Sequence, residues 1–439
     1  MAETTSLAET IDDFSLKRVP KSALQSTWDI ALVRMGLTVS ASDLVFGYTI
    51  GLYFAFTQAI LIALAYSAII AVVSILMGLI GQREGTSFAL SSRFAFGRDG
   101  SRLPSIVIAL VIAGFYGYIL GITVDIFPGK SGVTIPIYCL ILGGLFLVIS
   151  GFGFDKGLKW VARFGVPLMI VLVIVADIAT IGHAGGFGAI VNATPKQLGK
   201  IALPTILGLG VAKWMTGAVV TPDVMRFGKS GWAVVSTTIA EFIVGNFGFN
   251  FLGLVLGLGL GQSDLGAAFA LIGVTGLALV AFIVQSFTVE MNELYAASLA
   301  VSNAAGVRRA ITNTIVGLLG IGIAWYGLSQ GIIASFLTFI GYIGYAVPAI
   351  PAIMIADYFV VQRMHYPAGF EGLPAVNWRA VATFFVTVAA GVYMGLGPMK
   401  DVLWHSLPLI GFVLYILLSI PQTIKAWSST PARPLEPAV

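Results

Sequence analysis

The chain has 439 residues, of which 58% are hydrophobic and only 10% are charged, and its mean hydropathy is +0.96. Because soluble domains carry about 25% charged residues, this composition excludes an ordinary soluble domain and indicates a polytopic membrane protein. The net charge of +4 does not indicate nucleic acid as a partner, since the basic residues are spread over short loops. The single cysteine, Cys139, excludes an intrachain disulfide framework.

The apolar segments between polar loops are long enough to cross a hydrocarbon core of about 30 Å, which takes about 20 helical residues. We therefore predict an all-α protein with twelve transmembrane helices in one membrane domain at 28–421, between polar tails at 1–27 and 422–439. The predicted spans are Trp28–Gly51, Tyr53–Gly81, Leu103–Phe127, Val133–Gly153, Leu158–Gly182, Ile201–Gly228, Trp232–Leu260, Leu265–Val301, Ala310–Leu328, Ile332–Val361, Ala380–Gly397 and Trp404–Pro421.

The basic residues of the loops are distributed unevenly between the two sides of the membrane. If the amino terminus is cytoplasmic, most loop arginines and lysines lie inside, and the exceptions are Lys130, Lys196, Lys200 and Lys400. This positive-inside bias predicts an even number of spans and two cytoplasmic termini. We expect a multi-pass protein of the plasma membrane.

Two predicted spans contain small and polar residues at membrane depth. In the first span these residues are GLTVSASDLVFG, at Gly36–Gly47, and in the sixth span they are LGLGVAKWMTG, at Leu207–Gly217. Interruptions five spans apart predict two inverted five-helix repeats whose broken helices surround a binding site near the bilayer midplane. Pro348 and Pro351 are predicted to bend the tenth span.

Lys213 stands beside Trp214 in the otherwise uncharged stretch Ile201–Pro222. A lysine at the centre of a membrane helix costs roughly 2.5 to 3.5 kcal/mol on insertion scales, so it requires a partner or a water-filled cavity. Extension to the outer surface is disfavoured, because Lys200 marks the outer end of the span and lies about 20 Å of helix rise away. The lysine therefore predicts a buried site.

Four stretches together resemble the nucleobase:cation symporter-1 family, and within it the cytosine permease branch. They are SRFAFGRDGSRLPS at Ser92–Ser105, TPDVMRFG at Thr221–Gly228, NELYAASLAVSN at Asn292–Asn303 and IADYFVVQRMHY at Ile355–Tyr366. Their order and spacing cover nearly the whole chain. The resemblance implies ten helices in two inverted repeats of the leucine-transporter type, two further helices, and alternating access to one central pocket.

The resemblance also implies residues that contact the substrate. Phe115 and Trp214 match positions where the family sandwiches the substrate ring, and stacking of a base on an aromatic ring is worth about 1 to 3 kcal/mol. Glu290 matches a position where relatives carry an amide, and with Gln285 it is predicted to bind the polar edge of the ring. The other interpretations are ordinary packing of the aromatic rings and a helix-capping or packing role for Glu290.

Relatives that use sodium are expected to bind it with backbone carbonyls of the broken first span and with two adjacent hydroxyls of the eighth. Here Gly36 and Val39 would supply the carbonyls, and the matching pair in the eighth span is Thr288 and Val289. Because Val289 has no hydroxyl and a hard cation prefers a full set of oxygen ligands, sodium coupling is in doubt.

Lys213 and Asp43 add ionisable groups where the sodium ligand set is incomplete. We hypothesise that Lys213 pairs with Glu290 or Asp43 and that a proton carried by this cluster replaces sodium as the coupling ion. Two interpretations compete with this one. Lys213 is a fixed cation that fills the lost sodium site, which would give a uniporter, or it binds an anionic substrate such as a carboxylated pyrimidine.

A charged pair, Asp223 and Arg226, is predicted at the cytoplasmic end of the sixth span. Its expected role is a local structural one or a gating one. The histidines, His183, His365 and His405, form no catalytic motif, so an enzyme is not expected. We expect no cofactor and no obligate protein partner. The expected partners are the lipid bilayer and a small heterocyclic substrate. A carrier of another solute, such as an amino acid, and a channel are the alternatives.

Overall fold

The computed structural model describes residues 17–151, 158–262, 264–305, 309–397, 399 and 402–429. Within these residues the protein is helical, apart from loops and one isolated bridge between Gln25 and Gly228, which confirms the predicted all-α class. The helices of the first half are α1 (Thr27–Thr38), α2 (Ala41–Tyr53), α3 (Phe56–Glu84), α4 (Phe88–Phe96), α5 (Arg102–Asp125), α6 (Thr134–Gly151), α7 (Leu158–Ala184), α8 (Phe187–Val191), α9 (Leu203–Val219) and α10 (Thr221–Met225).

The second half contains two short π-helical stretches between ordinary helices. One is the first π-segment (Glu241–Phe247) and the other is the second π-segment (Ala356–Val361). The α-helices of this half are α11 (Gly231–Ala240), α12 (Gly248–Leu260), α13 (Leu265–Leu271), α14 (Thr275–Ala305), α15 (Arg309–Ser329), α16 (Ile332–Ala346), α17 (Ala349–Ile355), α18 (Trp378–Leu396), α19 (Leu403–Leu418) and α20 (Ile420–Ser429).

The membrane-spanning elements agree with the twelve predicted segments. Counted over the described residues, eight helical stretches are long and apolar enough to cross a membrane, and three shorter apolar helices lie at Thr134–Val148, Thr275–Phe287 and Ser406–Leu418. The interrupted pair α1 and α2 accounts for the remaining predicted segment. The segments were predictable because hydrophobic length is the strongest signal in a membrane sequence.

The first and sixth spans are both broken, but the sixth is broken later than predicted. The first span breaks at Val39 and Ser40, inside the predicted interruption. The helix of the sixth span instead runs through Leu207–Gly217 and ends at Val220. The prediction for this break was wrong because glycines alone do not end a packed helix, whereas Pro222 lacks an amide hydrogen and disfavours helical continuation before it.

The eighth predicted span begins later than predicted, whereas the tenth is interrupted where it was expected to bend. The residues 265–271 form the separate helix α13, so the eighth span begins at Thr275 instead of Leu265. The tenth span is interrupted at Val347 and Pro348, as the prolines predicted. In the predicted tails, residues 17–26 are packed against the domain, and α20 extends to Ser429.

Helices α2 and α12 approach each other closely along a pair of glycine motifs, which we call the glycine seam (Gly47, Gly51, Gly253 and Gly257). A Cβ atom added at Gly253 would lie 2.1 Å from the carbonyl oxygen of Leu44, and one at Gly47 would lie equally close to that of Asn250. Small residues spaced four apart permit such backbone contact between membrane helices. The seam places α2, with its polar amino-terminal end, directly against α12.

Replacing Gly253 with Ala is expected to lower the free energy of unfolding by about 1 to 3 kcal/mol, because the added methyl group overlaps backbone atoms that cannot rotate away. Gly144→Ala in α6 is the matched control, since its Cβ would meet nothing within 4 Å. Thermal unfolding of the two purified variants in detergent compares them. Equal melting temperatures would contradict close contact at the seam.

Candidate functional site

The break in the first span places a carboxylate at the start of α2. Ser40 is the N-cap, and its hydroxyl accepts the backbone N–H of Asp43 at 3.3 Å and donates to Asp43 Oδ2 at 2.9 Å. Ser42 Oγ lies 2.8 Å from Ser40 Oγ. Because the first turn of a helix carries unsatisfied N–H groups and a partial positive charge, a buried carboxylate is stabilised there. Asp43 is fully buried at this point.

Asp43 Oδ1 receives polar groups from two other spans. The amides of Asn246 and Asn250 donate to it at 2.9 and 3.0 Å, and the indole N–H of Trp214 donates at 3.0 Å. Lys213 forms an ion pair with the same oxygen. The first, sixth and seventh spans therefore meet at one carboxylate.

Lys213 is almost fully buried and is surrounded by aromatic rings in addition to its counter-ion. Its ammonium lies 4.9 Å from the ring centre of Phe46 and 5.9 Å from that of Tyr66. Aromatic faces stabilise a cation that has left water. The predicted partners of Lys213 were Asp43 and Glu290, and the structure selects Asp43.

The two aromatic residues predicted to hold the substrate lie on α9 and α5. Trp214 is half-buried and packs edge-to-face against Phe242 with ring centres 6.1 Å apart. Phe115 packs edge-to-face against Phe339 and Phe336 of α16, at 5.4 and 6.3 Å. Both rings belong to the same hydrophobic core, and α5 and α9 are in contact. Their stacking on a substrate stays a prediction.

Gln285 faces the break in the first span. Its side-chain amide donates to the carbonyl oxygen of Val39 at 3.3 Å, which is one of the carbonyls predicted to bind a coupling ion. Val289 is buried on the same helix. The surroundings of Gly36 and the side chain of Thr288 lie outside the described residues.

Glu290 lies on a different face of α14 from Gln285. Five residues at about 100° each place the two side chains about 140° apart around the helix. Glu290 is fully buried, lies within electrostatic range of Tyr116 and Glu293, and neither of its oxygens has a hydrogen-bond partner among the described residues. The structure therefore does not bring Glu290 to Lys213, and its predicted contact with substrate stays a prediction.

A second buried ion pair, absent from the predictions, joins α1 to the first π-segment. Arg34 Nε donates to Glu241 Oε2 at 2.9 Å, and Arg34 Nη2 lies 2.9 Å from Glu241 Oε1. Arg34 Nη2 also donates to Thr221 Oγ1 at 3.2 Å. Both side chains have at most 1% of their surface exposed. The sequence shows both residues as charges inside predicted spans. It does not show that they pair, because they are 207 residues apart.

The predicted gating residues lie at the end of the sixth span. Asp223 Oδ1 accepts the backbone N–H of Phe88 at 2.7 Å, and so joins α10 to the start of α4. Arg226 Nε donates to the backbone carbonyl of Asp223 at 3.1 Å. Both residues are positioned to stabilise this end of the span, and a gating role stays a prediction.

Comparison with known proteins gives relatives over nearly the full length of the chain. The cytosine permease of Escherichia coli strain K12 is 25% identical over 398 residues, which are 90% of this chain and 93% of the relative. An inward-facing structure of Mhp1 has 16% identity and a TM-score of 0.75 over 94% of this chain and 93% of its own. A second structure shows Mhp1, described as a nucleobase-cation-symport-1 family transporter, in a closed conformation with bromovinylhydantoin bound. It has 17% identity and a TM-score of 0.74 over 96% of this chain and 97% of its own.

These structural similarities establish the fold, and the sequence matches establish the family. The family model for permeases of cytosine/purines, uracil, thiamine and allantoin matches residues 19–417. This range includes both broken spans and the two buried ion pairs. It agrees with the resemblance seen in the sequence and with a transporter in preference to an enzyme. The chain belongs to the family of permeases for cytosine and purines, uracil, thiamine and allantoin.

Proposed function

We propose that this protein imports a cytosine-like nucleobase or a related small heterocycle across the plasma membrane by alternating access, and that a proton on Lys213 drives the uptake. Both termini are cytoplasmic in this proposal. Family membership and the cytosine permease relatives support the substrate class. The ion pair between Lys213 and Asp43, at the break of the first span, is the observation that carries the proposed coupling.

The substrate ring is placed between Phe115 and Trp214. A planar heterocycle gains from stacking on aromatic faces, and its ring edges remain free for hydrogen bonds. Trp214 is only half-buried, and its donation to Asp43 holds the indole in a fixed orientation. Gln285 is proposed to bind a polar edge of the ring from the face of α14 that meets the break.

The surroundings of Asp43 favour Lys213 as the group that gains and loses the proton. Asp43 accepts hydrogen bonds from neutral donors of Ser40, Trp214, Asn246 and Asn250, and these bonds do not require a charge on the lysine. The ammonium of Lys213 has Asp43 as its counter-ion and otherwise faces aromatic rings. Loss of the Lys213 proton would therefore break the ion pair and leave the other hydrogen bonds to Asp43 in place.

The same region is poorly suited to sodium. The carbonyl of Val39 already accepts the amide of Gln285, and Val289 offers no oxygen where relatives are expected to have a second hydroxyl. A cation site that lacks oxygen ligands does not compensate for the lost hydration of the ion. In this proposal the proton on Lys213 replaces sodium as the coupling ion.

The proposal is tested with purified protein in liposomes and radiolabelled cytosine. An inward proton gradient is expected to drive accumulation of cytosine above the external concentration, and a sodium gradient at equal pH is expected to have no effect. Liposomes without protein are the control. Accumulation that follows sodium and ignores pH would refute proton coupling, and equilibration without accumulation under either gradient would indicate a uniporter. A panel of uracil, hydantoin and amino acids, used as competitors, tests the substrate class.

A further inference from the structure

The ion pair of Arg34 and Glu241 lies between the Lys213–Asp43 pair and the end of the sixth span. We propose that Glu241 accepts the coupling proton after it leaves Lys213 and releases it toward the cytoplasm. This inference rests on the proposed proton coupling, and it assigns a second protonation site to a residue outside the substrate pocket.

The two carboxylate oxygens of Glu241 contact Arg34 differently. Oε2 accepts the hydrogen bond from Arg34 Nε. Oε1 is 2.9 Å from Arg34 Nη2, but the angle does not suit a hydrogen bond, and no other described group bonds to this oxygen. A fully buried carboxylate inside a membrane span indicates a site with a functional role, and Oε1 is the oxygen of Glu241 that can take a proton without loss of the hydrogen bond from Arg34 Nε.

The charges near Glu241 form a series that leads from the midplane to the end of the span. On α2, Asp43 lies within electrostatic range of Glu241, and on α1 Arg34 pairs with it. Arg34 donates to Thr221 at the start of α10, and its charge also acts on Asp223 two residues later. These are the charged groups that the described residues place around Glu241 and Arg34.

The first π-segment positions Glu241 for this role. Glu241 is its first residue, and Asn246 near its end donates to Asp43. Gly245 in the same segment allows close packing of α1, because a Cβ there would lie 1.8 Å from Thr38 Oγ1. A π-helical turn inserted in an α-helix is frequently found at functional sites. One short segment therefore contacts both buried ion pairs.

The proton balance of the step is simple. The Lys213 ammonium loses a proton and becomes a neutral amine, while Asp43 keeps the hydrogen bonds from its amide and indole donors. Glu241 Oε1 accepts the proton, and this carboxylate becomes a neutral acid. Arg34 keeps its charge and its hydrogen bond to Thr221. Loss of the proton to the cytoplasm past Asp223 restores the ion pair.

The test compares E241Q with the wild type in two assays on the same liposomes. The first is accumulation of radiolabelled cytosine under an inward proton gradient. The second is exchange of labelled for unlabelled cytosine at equal pH, which needs no net proton movement. E241Q is expected to lose accumulation down to the level without a gradient and to retain exchange, because glutamine keeps a hydrogen-bond acceptor for Arg34, which also donates to Thr221, but cannot carry the proton. E241D retains a carboxylate and is expected to accumulate cytosine.

The outcomes separate this inference from the proposed function. If the wild type itself fails to respond to pH, the proposed coupling fails. If the wild type responds and E241Q accumulates cytosine equally well, the role of Glu241 fails, and an equal loss of accumulation and exchange would show that Glu241 is only structural. Should E241Q not fold, the double variant R34M/E241L decides, since apolar residues of similar size often replace a buried ion pair without loss of stability. Accumulation by that variant would overturn the inference.

Discussion

Replacing Asp43 with Asn is expected to lower the free energy of unfolding by about 3 to 5 kcal/mol and to abolish transport, because the ammonium of Lys213 then remains buried without a counter-ion. Asparagine also brings an amide toward the donors of Asn246, Asn250 and Trp214, which all require an acceptor at this position. Thermal unfolding in detergent, read with cytosine uptake in liposomes, measures both effects.

The double variant D43N/K213M separates the effect of an isolated lysine charge on stability from the effect of losing the proton-carrying pair on transport. Removing both members of a buried ion pair avoids the isolated charge, so the double variant is expected to regain most of the lost stability. It is nevertheless expected to remain unable to accumulate cytosine under a proton gradient, because no group in the pair then carries a proton. If D43N alone is as stable as the wild type, the ion pair is not what holds these spans together. If the double variant accumulates cytosine with pH, the coupling proton lies elsewhere.

Replacing Trp214 with Ala is expected to weaken cytosine binding by about 1 to 3 kcal/mol, or roughly 5- to 150-fold, through loss of one stacking face. The variant W214F retains a ring and loses the indole donor to Asp43, so it separates stacking from positioning. W325A on α15 is the matched control, since Trp325 is 54% exposed on the outer surface of the domain. Binding is measured by competition with radiolabelled cytosine. Wild-type affinity in W214A would refute the stacking model.

The sequence allowed the spans to be predicted because each needs only a stretch of apolar residues of sufficient length. It also allowed Asp43, Lys213 and Trp214 to be placed in one site, since a buried lysine needs a counter-ion. The break of the sixth span was misplaced because the glycines of Leu207–Gly217 serve close packing. A Cβ at Gly210 would lie 2.5 Å from the ring of Tyr66, and one at Gly217 would lie 2.4 Å from that of Trp214.

The contributions of the seventh span could not be predicted in the same way. Asn246 and Asn250 are polar residues in an apolar stretch, but their partner Asp43 is more than 200 residues away in the sequence. That both side chains point toward Asp43 also depends on a π-helical segment, which changes the helical register and has no simple residue signature. Arg34 and Glu241 were visible as charges, and only the packing of α1 on that segment pairs them.

The glycine seam has a mechanical consequence for how the transporter opens. With carbonyl oxygens and Cα atoms of α2 and α12 in direct contact over two helical turns, neither helix can slide or rotate past the other without steric overlap. We therefore expect the two helices to move as one rigid unit, with bending at the unwound residues Val39 and Ser40 and in the first π-segment. When access to the pocket switches from one side of the membrane to the other, Asp43 is expected to keep its bond to Asn250, which moves with the same unit, while Asn246 lies in the segment that bends.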